Sequence, residues 1–269
     1  MLSVDTLSDR RGWLQRSRVR SQKKATPFHM KILYSIENSI GLIVLSNPPH
    51  NCLNEPEFEK PDMFREFLSR EELKGAVVSG QGKHFCAGAS MGPLAEKAKN
   101  PSALKQSMEK GKQLLDIIRY ATIPVVAAIR GSCLGGGLEI ALACHFRFAA
   151  KSAMFGFPES QRLLMPGLGG TIYPQEIMFR RHLIELAVSG KMIGAPEALD
   201  IGIIDRCCES RDIEGEAQTF CSQLTDGRPQ ALVRSIMTSI HNARTLPLKE
   251  ALRRETELFC ACAKNIPDE

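Results

Sequence analysis

The sequence predicts an α/β fold organised around one large core, and three observations carry that prediction. Short apolar runs bounded by charge, glycine or proline read as buried strands, most clearly within Glu72–Gly80 (ELKGAVVSG) and at Pro124–Ile129 (PVVAAI). Stretches with apolar residues near helical spacing alternate with them, the longest from about Ser102 to Tyr120. The 269 residues, 43% hydrophobic and 24% charged, suit one globular domain, or a domain with a helical appendage.

Taken in chain order, Met1–Met30 is basic. It holds Arg10, Arg11, Arg16, Arg18, Arg20, Lys23 and Lys24 against Asp5 and Asp9, and seven minus two equals the net charge of +5, so the remainder is neutral. Such a stretch reads as a mitochondrial transit peptide, a nucleic-acid arm or a disordered extension ahead of a start at Met30. The two aspartates, and Trp13 as the one aromatic among the basic residues, favour the extension. Strands at Lys31–Glu37 (KILYSIE) and Gly41–Ser46 (GLIVLS) then open a meander, and Asn47–Asn51 (NPPHN) is a loop. Pro56 and Pro61 confine the next helix to about Pro61–Arg70, because proline fits a helix only in its first turn; the residues before it read as loop.

A strand at Gly75–Ser79 leads into the small-residue loop His84–Ser90 (HFCAGAS). In the long helix from Ser102 to Tyr120, the stripe Leu104, Met108, Leu114, Leu115 and Ile118 reads as core packing. Strand Pro124–Ile129, helix Leu138–Ala143, strand His145–Ala149 and a short strand Ala153–Gly156 follow. His145 and Arg147 read as satisfied polar groups of a half-buried strand. Beyond Pro174 the chain is mostly helical, with helices at Ile177–Ser189, Ala195–Leu199, Asp212–Leu224, Pro229–Ala243 and Leu248–Cys262.

The chemistry concentrates where glycines free the backbone. Gly135, Gly136 and Gly137 lie between a buried strand and a helix, where a ligand can approach the main chain with no β-carbon in the way. The first N–H groups of that helix lack intrahelical acceptors and sit at the positive end of its dipole, so they suit a developing negative charge. Glu139 occupies the first turn, a position that by itself only complements the dipole. Neither GxGxxG nor a Lys with Ser/Thr at phosphate-loop spacing is present, which disfavours dinucleotide and ATP binding. The loop His84–Ser90 offers a second set of unscreened amides. His84 and Cys86 could form a thiol–imidazole pair, but no third orienting group is evident, and Cys86 reads better as a packing residue. The SxxK spelling at Ser107–Lys110 lacks its partner motifs and reads as chance.

The two segments HFCAGAS and GSCLGGGLEIALACHFRFAAKSAMFGFPESQRLLMPGLGGT (Gly131–Thr171) together resemble the crotonase superfamily, in particular the enoyl-CoA hydratase/isomerase family, over roughly Lys31–Asn265. That resemblance implies a crotonase-like spiral of ββα units, with a catalytic core at 31–190 and a helical oligomerisation region at 191–269 that packs trimers or hexamers. It implies oxyanion donors at the N–H groups of Ala89 and Gly136, and catalytic carboxyls at Glu139 and Glu159. Cys86, Ala87, Gly88, Ser90, Met91, Gly135, Gly137, Pro158 and Gly167 are implied as substrate-binding. The implied reaction is reversible addition of water to a trans-2-enoyl-CoA, with coenzyme A as substrate carrier and neither metal nor prosthetic group. Other readings stand beside it: enoyl-CoA isomerisation, dehydration or decarboxylation of an acyl-carrier-protein thioester in polyketide assembly, and a non-catalytic RNA-binding homologue. Ser90 stands where the family usually has an acid, and Gly92–Ser102 (GPLAEKAKNPS) replaces a common basic helix start, which leaves acyl specificity open.

Composition sets the remaining expectations. No apolar run approaches the roughly 18 to 20 residues that span a membrane. Nine cysteines (Cys52, Cys86, Cys133, Cys144, Cys207, Cys208, Cys221, Cys260 and Cys262) show no CxxC pairing, so a reduced thiol set and a cytoplasmic protein are expected, without a zinc site; the compartment becomes the mitochondrial matrix if the tail is a transit peptide.

Overall fold

The computed structural model describes residues 31–54, 60–209, 211–264 and 266; the readings of Met1–Met30 and of the loop around Pro56 lie outside the described residues. Six strands form the larger sheet: β1 (Lys31–Glu37), β2 (Ile40–Ser46), β3 (Gly75–Gly80), β4 (Val125–Ile129), β6 (Phe146–Ala150) and β9 (Arg206–Cys208), in the order β1-β2-β3-β4-β6-β9. Only β1 and β2 pair antiparallel; every later neighbour is parallel. Both β3 and β4 are buried along their whole length, which is why their sequences read as unbroken apolar or small-residue runs. At the edge, β1 alternates exposed and half-buried residues.

The smaller sheet consists of β5 (Ser132–Leu134), β7 (Met154–Gly156) and β8 (Met192–Gly194), in the order β5-β7-β8. Two successive turns of the chain place one strand in each sheet and close with a helix. The clearest turn runs β4, β5 and α4 (Gly136–Ala143), preceded along the chain by α1 (Pro61–Leu68), α2 (Met91–Ala98) and α3 (Pro101–Arg119). The next runs β6, β7, a short 3-10 helix at Pro158–Arg162 and α5 (Arg180–Ser189).

The main core fills the space between the two sheets and α1, α3, α4 and α5, and includes Phe64, Phe85, Leu115, Ile118, Phe155 and Phe157. A second cluster on the other face of the larger sheet packs Val77, Val126 and Phe148 against Ile213, Ala217 and Cys221 of α7 (Ile213–Thr225). Asp212 caps α7 by accepting from the N–H of Gly215 at 2.9 Å. The last two helices, α8 (Gln230–Thr245) and α9 (Leu248–Ala263), follow α6 (Ala195–Asp200) and α7.

The structure corrects several expectations. Residues 91–98 form a helix to which the sequence reading assigned no element; Gly92 and Pro93 obscure it, yet a first-turn proline gives up no intrahelical hydrogen bond. The chain beyond 190 is not purely helical, because β8 completes the smaller sheet and β9 the larger, and Ile193, Ala195, Ile203 and Ile204 lie in the main core. His145 and Arg147 are satisfied as expected. The His145 Nδ1 accepts from Val125 N at 3.0 Å, and buried Arg147 donates to the carbonyls of Ile203 and Cys144 at 2.7 and 2.8 Å while pairing with Asp205 at 2.8 Å.

Candidate active site

The loop His84–Ser90 is pinned to the smaller sheet as though it were a further strand. Phe85 N donates to Arg130 O at 2.8 Å, Cys86 N to Ser132 O at 3.0 Å, and Leu134 N to Cys86 O at 3.0 Å. On its other side, Leu53 N donates to Gly88 O at 2.8 Å and Ser90 N to Leu53 O at 3.0 Å. The amide between those bonds, that of Ala89, has no protein acceptor among the described residues.

The first N–H of α4, that of Gly136, likewise has no protein acceptor among the described residues, as its helix position dictates. The two loops touch: a β-carbon on Gly88 would lie 3.5 Å from the Gly136 nitrogen. Gly137 is held to glycine by the same contact, since its β-carbon would fall 2.2 Å from the Cys86 carbonyl oxygen.

Helix α4 carries Glu139 inward until it is 2% exposed. Its Oε1 accepts from the N–H groups of Leu168 and Gly170, both at 2.7 Å, and this pair of amides fixes the carboxyl plane. Burial pushes the Glu139 carboxyl up, the two amides pull it down and neighbouring Glu159 raises it again, leaving it at about 7.

Glu159 comes from the 3-10 helix at Pro158–Arg162, which ends at Leu163 in the left-handed region, φ +58°, and is tied to the fold by Gln161 donating to Gly190 O at 2.9 Å. Its Oε2 is buried and has no hydrogen-bond partner among the described residues. Burial raises its pKa too, against its own backbone N–H and Arg162.

Ala89, Gly136, Glu139 and Glu159 all line one cavity of about 170 Å³. Of the other residues singled out from the sequence, Ser90 and Gly167 also lie on its wall. Cys86, Ala87, Gly88, Met91, Gly135, Gly137 and Pro158 do not. Cys86 is fully buried behind the wall, Gly88 and Gly137 make the contact between the loops, and Gly135 is the N-cap of α4. The thiol–imidazole alternative is not built: His84 Nδ1 accepts from Ser132 N at 3.1 Å, and burial pushes the Cys86 thiol up to about 12.

Sequence reasoning missed the apolar wall. Leu53, Leu94, Leu164, Met165 and Leu168 line the cavity, as do Leu104, which the helical stripe had assigned to core packing, and Met108, which packs against the main core as that stripe indicated and also reaches the wall. The unbroken apolar run Leu163–Met165, just after Glu159 and largely exposed, was the signal available for part of it. For Leu53 no local signal exists. Among the described residues no three His, Cys, Asp or Glu side chains converge as metal ligands, and no helix is long and apolar enough to cross a membrane.

The α/β fold, with a small-residue loop and a triple glycine meeting beside an apolar cavity, belongs to the crotonase superfamily. Within it, this chain belongs to the enoyl-CoA hydratase/isomerase family, whose model matches residues 35–266. It is similar to a Bacillus subtilis protein named "Probable enoyl-CoA hydratase", 28% identical over 85% of this chain and 88% of that one. It is also 30% identical to the peroxisomal bifunctional enzyme of Danio rerio over 83% of this chain but 34% of that enzyme, so it spans about a third of the enzyme's length. Among solved structures it resembles an enoyl-CoA hydratase from Polaromonas sp. JS666, with a TM-score of 0.78 and 29% identity over 86% of this chain and 90% of that one.

Proposed function

We propose that this protein adds water reversibly across the 2,3 double bond of a trans-2-enoyl-CoA thioester. The observation that carries this reading is that Ala89 and Gly136, whose amides have no protein acceptor among the described residues, line one apolar cavity together with Glu139 and Glu159. The thioester oxygen accepts from the two amides. Water oxygen bonds to C3, the double-bond electrons move into an enolate stabilised at that oxygen, and a proton is delivered to C2.

One donor of this type is worth about 2.7 to 4 kcal/mol of transition-state stabilisation, so the amide pair contributes more to lowering the barrier than either carboxyl does. Glu139, oriented by the Leu168 and Gly170 amides, takes the proton from water through its other oxygen. Glu159, whose buried Oε2 lacks a protein partner, is suited to carry the proton given to C2. Burial raises both carboxyls, which eases protonation of either one. Coenzyme A serves as carrier and leaves the reaction unchanged.

Self-association as a trimer or hexamer belongs to the same reading. It is supported by Ile236, Ile240, Leu248, Leu252 and Phe259, large apolar side chains that α8 and α9 leave exposed.

The test is loss of the conjugated-thioester absorbance of crotonyl-CoA, with Glu139→Gln and Glu159→Gln as controls. Each substitution is expected to lower kcat by about 10²-fold or more. Turnover of a 3-enoyl-CoA but not of crotonyl-CoA would replace hydration by isomerisation.

A further inference from the structure

Apart from its amides and carboxyls, the cavity is bounded chiefly by hydrocarbon, and one part of that wall is adjustable. Leu104 and Met108 lie one turn apart on α3 and present the same face to the cavity. The Met108 sulfur stands 3.1 Å from the point a β-carbon on Gly167 would occupy, so the thioether fills the space that glycine leaves open. Gly167 directly precedes Leu168, the residue whose amide holds Glu139, so this closure lies within reach of the reacting carbons. A dry apolar cavity of about 150 Å³ accepts one benzene ring. The volume here, about 170 Å³, is of the same order.

We propose that the acyl space ends at the contact between Met108 and Gly167, that the protein takes short 2-enoyl chains of about four to six carbons, and that Met108 sets this limit. The inference rests on the reading of the cavity as an acyl-thioester site. Methionine suits the role because it is unbranched and conforms to irregular space. Gly167 is not in the left-handed region, so alanine is allowed there by the backbone and meets only the end of the Met108 side chain. The two positions therefore work in opposite senses: Met108→Ala lengthens the space, whereas Gly167→Ala drives the thioether inward and shortens it.

The experiment measures binding of butyryl-, hexanoyl-, decanoyl- and hexadecanoyl-CoA by calorimetry, and kcat/KM for the 2-enoyl-CoA of each length. In the wild type, both quantities are expected to fall beyond hexanoyl. In Met108→Ala the decanoyl-to-butyryl ratio is expected to rise about tenfold, the effect of burying roughly two further methylenes. In Gly167→Ala the hexanoyl-to-butyryl ratio is expected to fall. Equal preference of the wild type for decanoyl and hexanoyl chains overturns the proposal, as does an unchanged length profile in a folded Met108→Ala protein. Length-dependent binding without hydration removes the hydratase reading and leaves this inference standing. Binding of no acyl-CoA at any length removes both.

Discussion

Oε1 of Glu159 stands 2.5 Å from the point where a β-carbon on Gly135 would lie. The N-cap of α4 is thus in contact with the carboxyl that the next turn of the spiral supplies, and Gly135 is required twice over: by φ +53° and ψ −125°, and by this approach.

Gly135→Ala is therefore expected to cost about 1 to 3 kcal/mol of backbone strain and to displace Glu159, lowering kcat for crotonyl-CoA by about 10²-fold in a protein that still folds. Circular dichroism and the hydration assay check this together; full activity would show that the Glu159 position is not needed. Gly137→Ala is expected to differ. Its β-carbon meets a backbone carbonyl that cannot step aside, so folded protein itself is lost.

Stability should depend on the Glu139 charge. Its folded pKa, about 7, lies above the ordinary 4.5, so the folded state holds the proton more tightly. Stability is then fully present below pH 4.5 and lost as pH rises toward 7 and above. At about 1.4 kcal/mol per pH unit across that interval, Glu139→Gln, which keeps an oxygen acceptor for the Leu168 and Gly170 amides, is expected to be up to roughly 3 kcal/mol more stable at pH 8. The gain should vanish below pH 4.5. Denaturant titrations at the two pH values decide it, and equal stability at pH 8 contradicts a carboxyl strained by burial.

Cys86 should be chemically silent. Buried, with its thiol pushed up to about 12, it is expected to resist iodoacetamide at pH 8 in the folded protein while exposed Cys260 reacts. Peptide mapping by mass spectrometry distinguishes the two. Rapid alkylation of Cys86 with parallel loss of activity would revive the nucleophile reading.

Arg147→Met is expected to destabilise the fold by about 2 to 4 kcal/mol, because it leaves the carbonyls of Ile203 and Cys144 without their donor. Asp205→Asn should cost less, because the Arg147 guanidinium keeps its hydrogen bonds to the Ile203 and Cys144 carbonyls and the Asn side-chain oxygen can still accept from it. Chemical denaturation ranks the two, and a reversed order would mean that Asp205 carries the junction between β6 and β9.

Much of the scaffold was legible because its signals are local. The strands β3 and β4 are buried on both faces and so read as continuous small or apolar runs. The triple glycine ahead of Glu139 marked the start of α4 for the same reason: a strained turn and a first-turn acid are properties of adjacent residues. By contrast β5, β8 and β9 are three residues each, too short for any periodicity to register, and their pairing comes from the sheets they join. Leu104 shows a different limit. Helical spacing tells which side chains share a face and not what that face meets, so a cavity wall and a core stripe look alike.

The sequence by itself determined which residues could do chemistry: glycines able to expose an amide, a carboxylate in the first turn of a helix, and a family pattern joining both. Tertiary structure alone decided that Ala89 and Gly136 line the same cavity, that Glu139 is gripped by Leu168 and Gly170, and that the Met108 thioether fills the space beside Gly167. The reason is physical. A turn or a cap is fixed by torsions a few residues wide, whereas contacts between distant segments depend on sheet register and packing, which only the assembled core specifies.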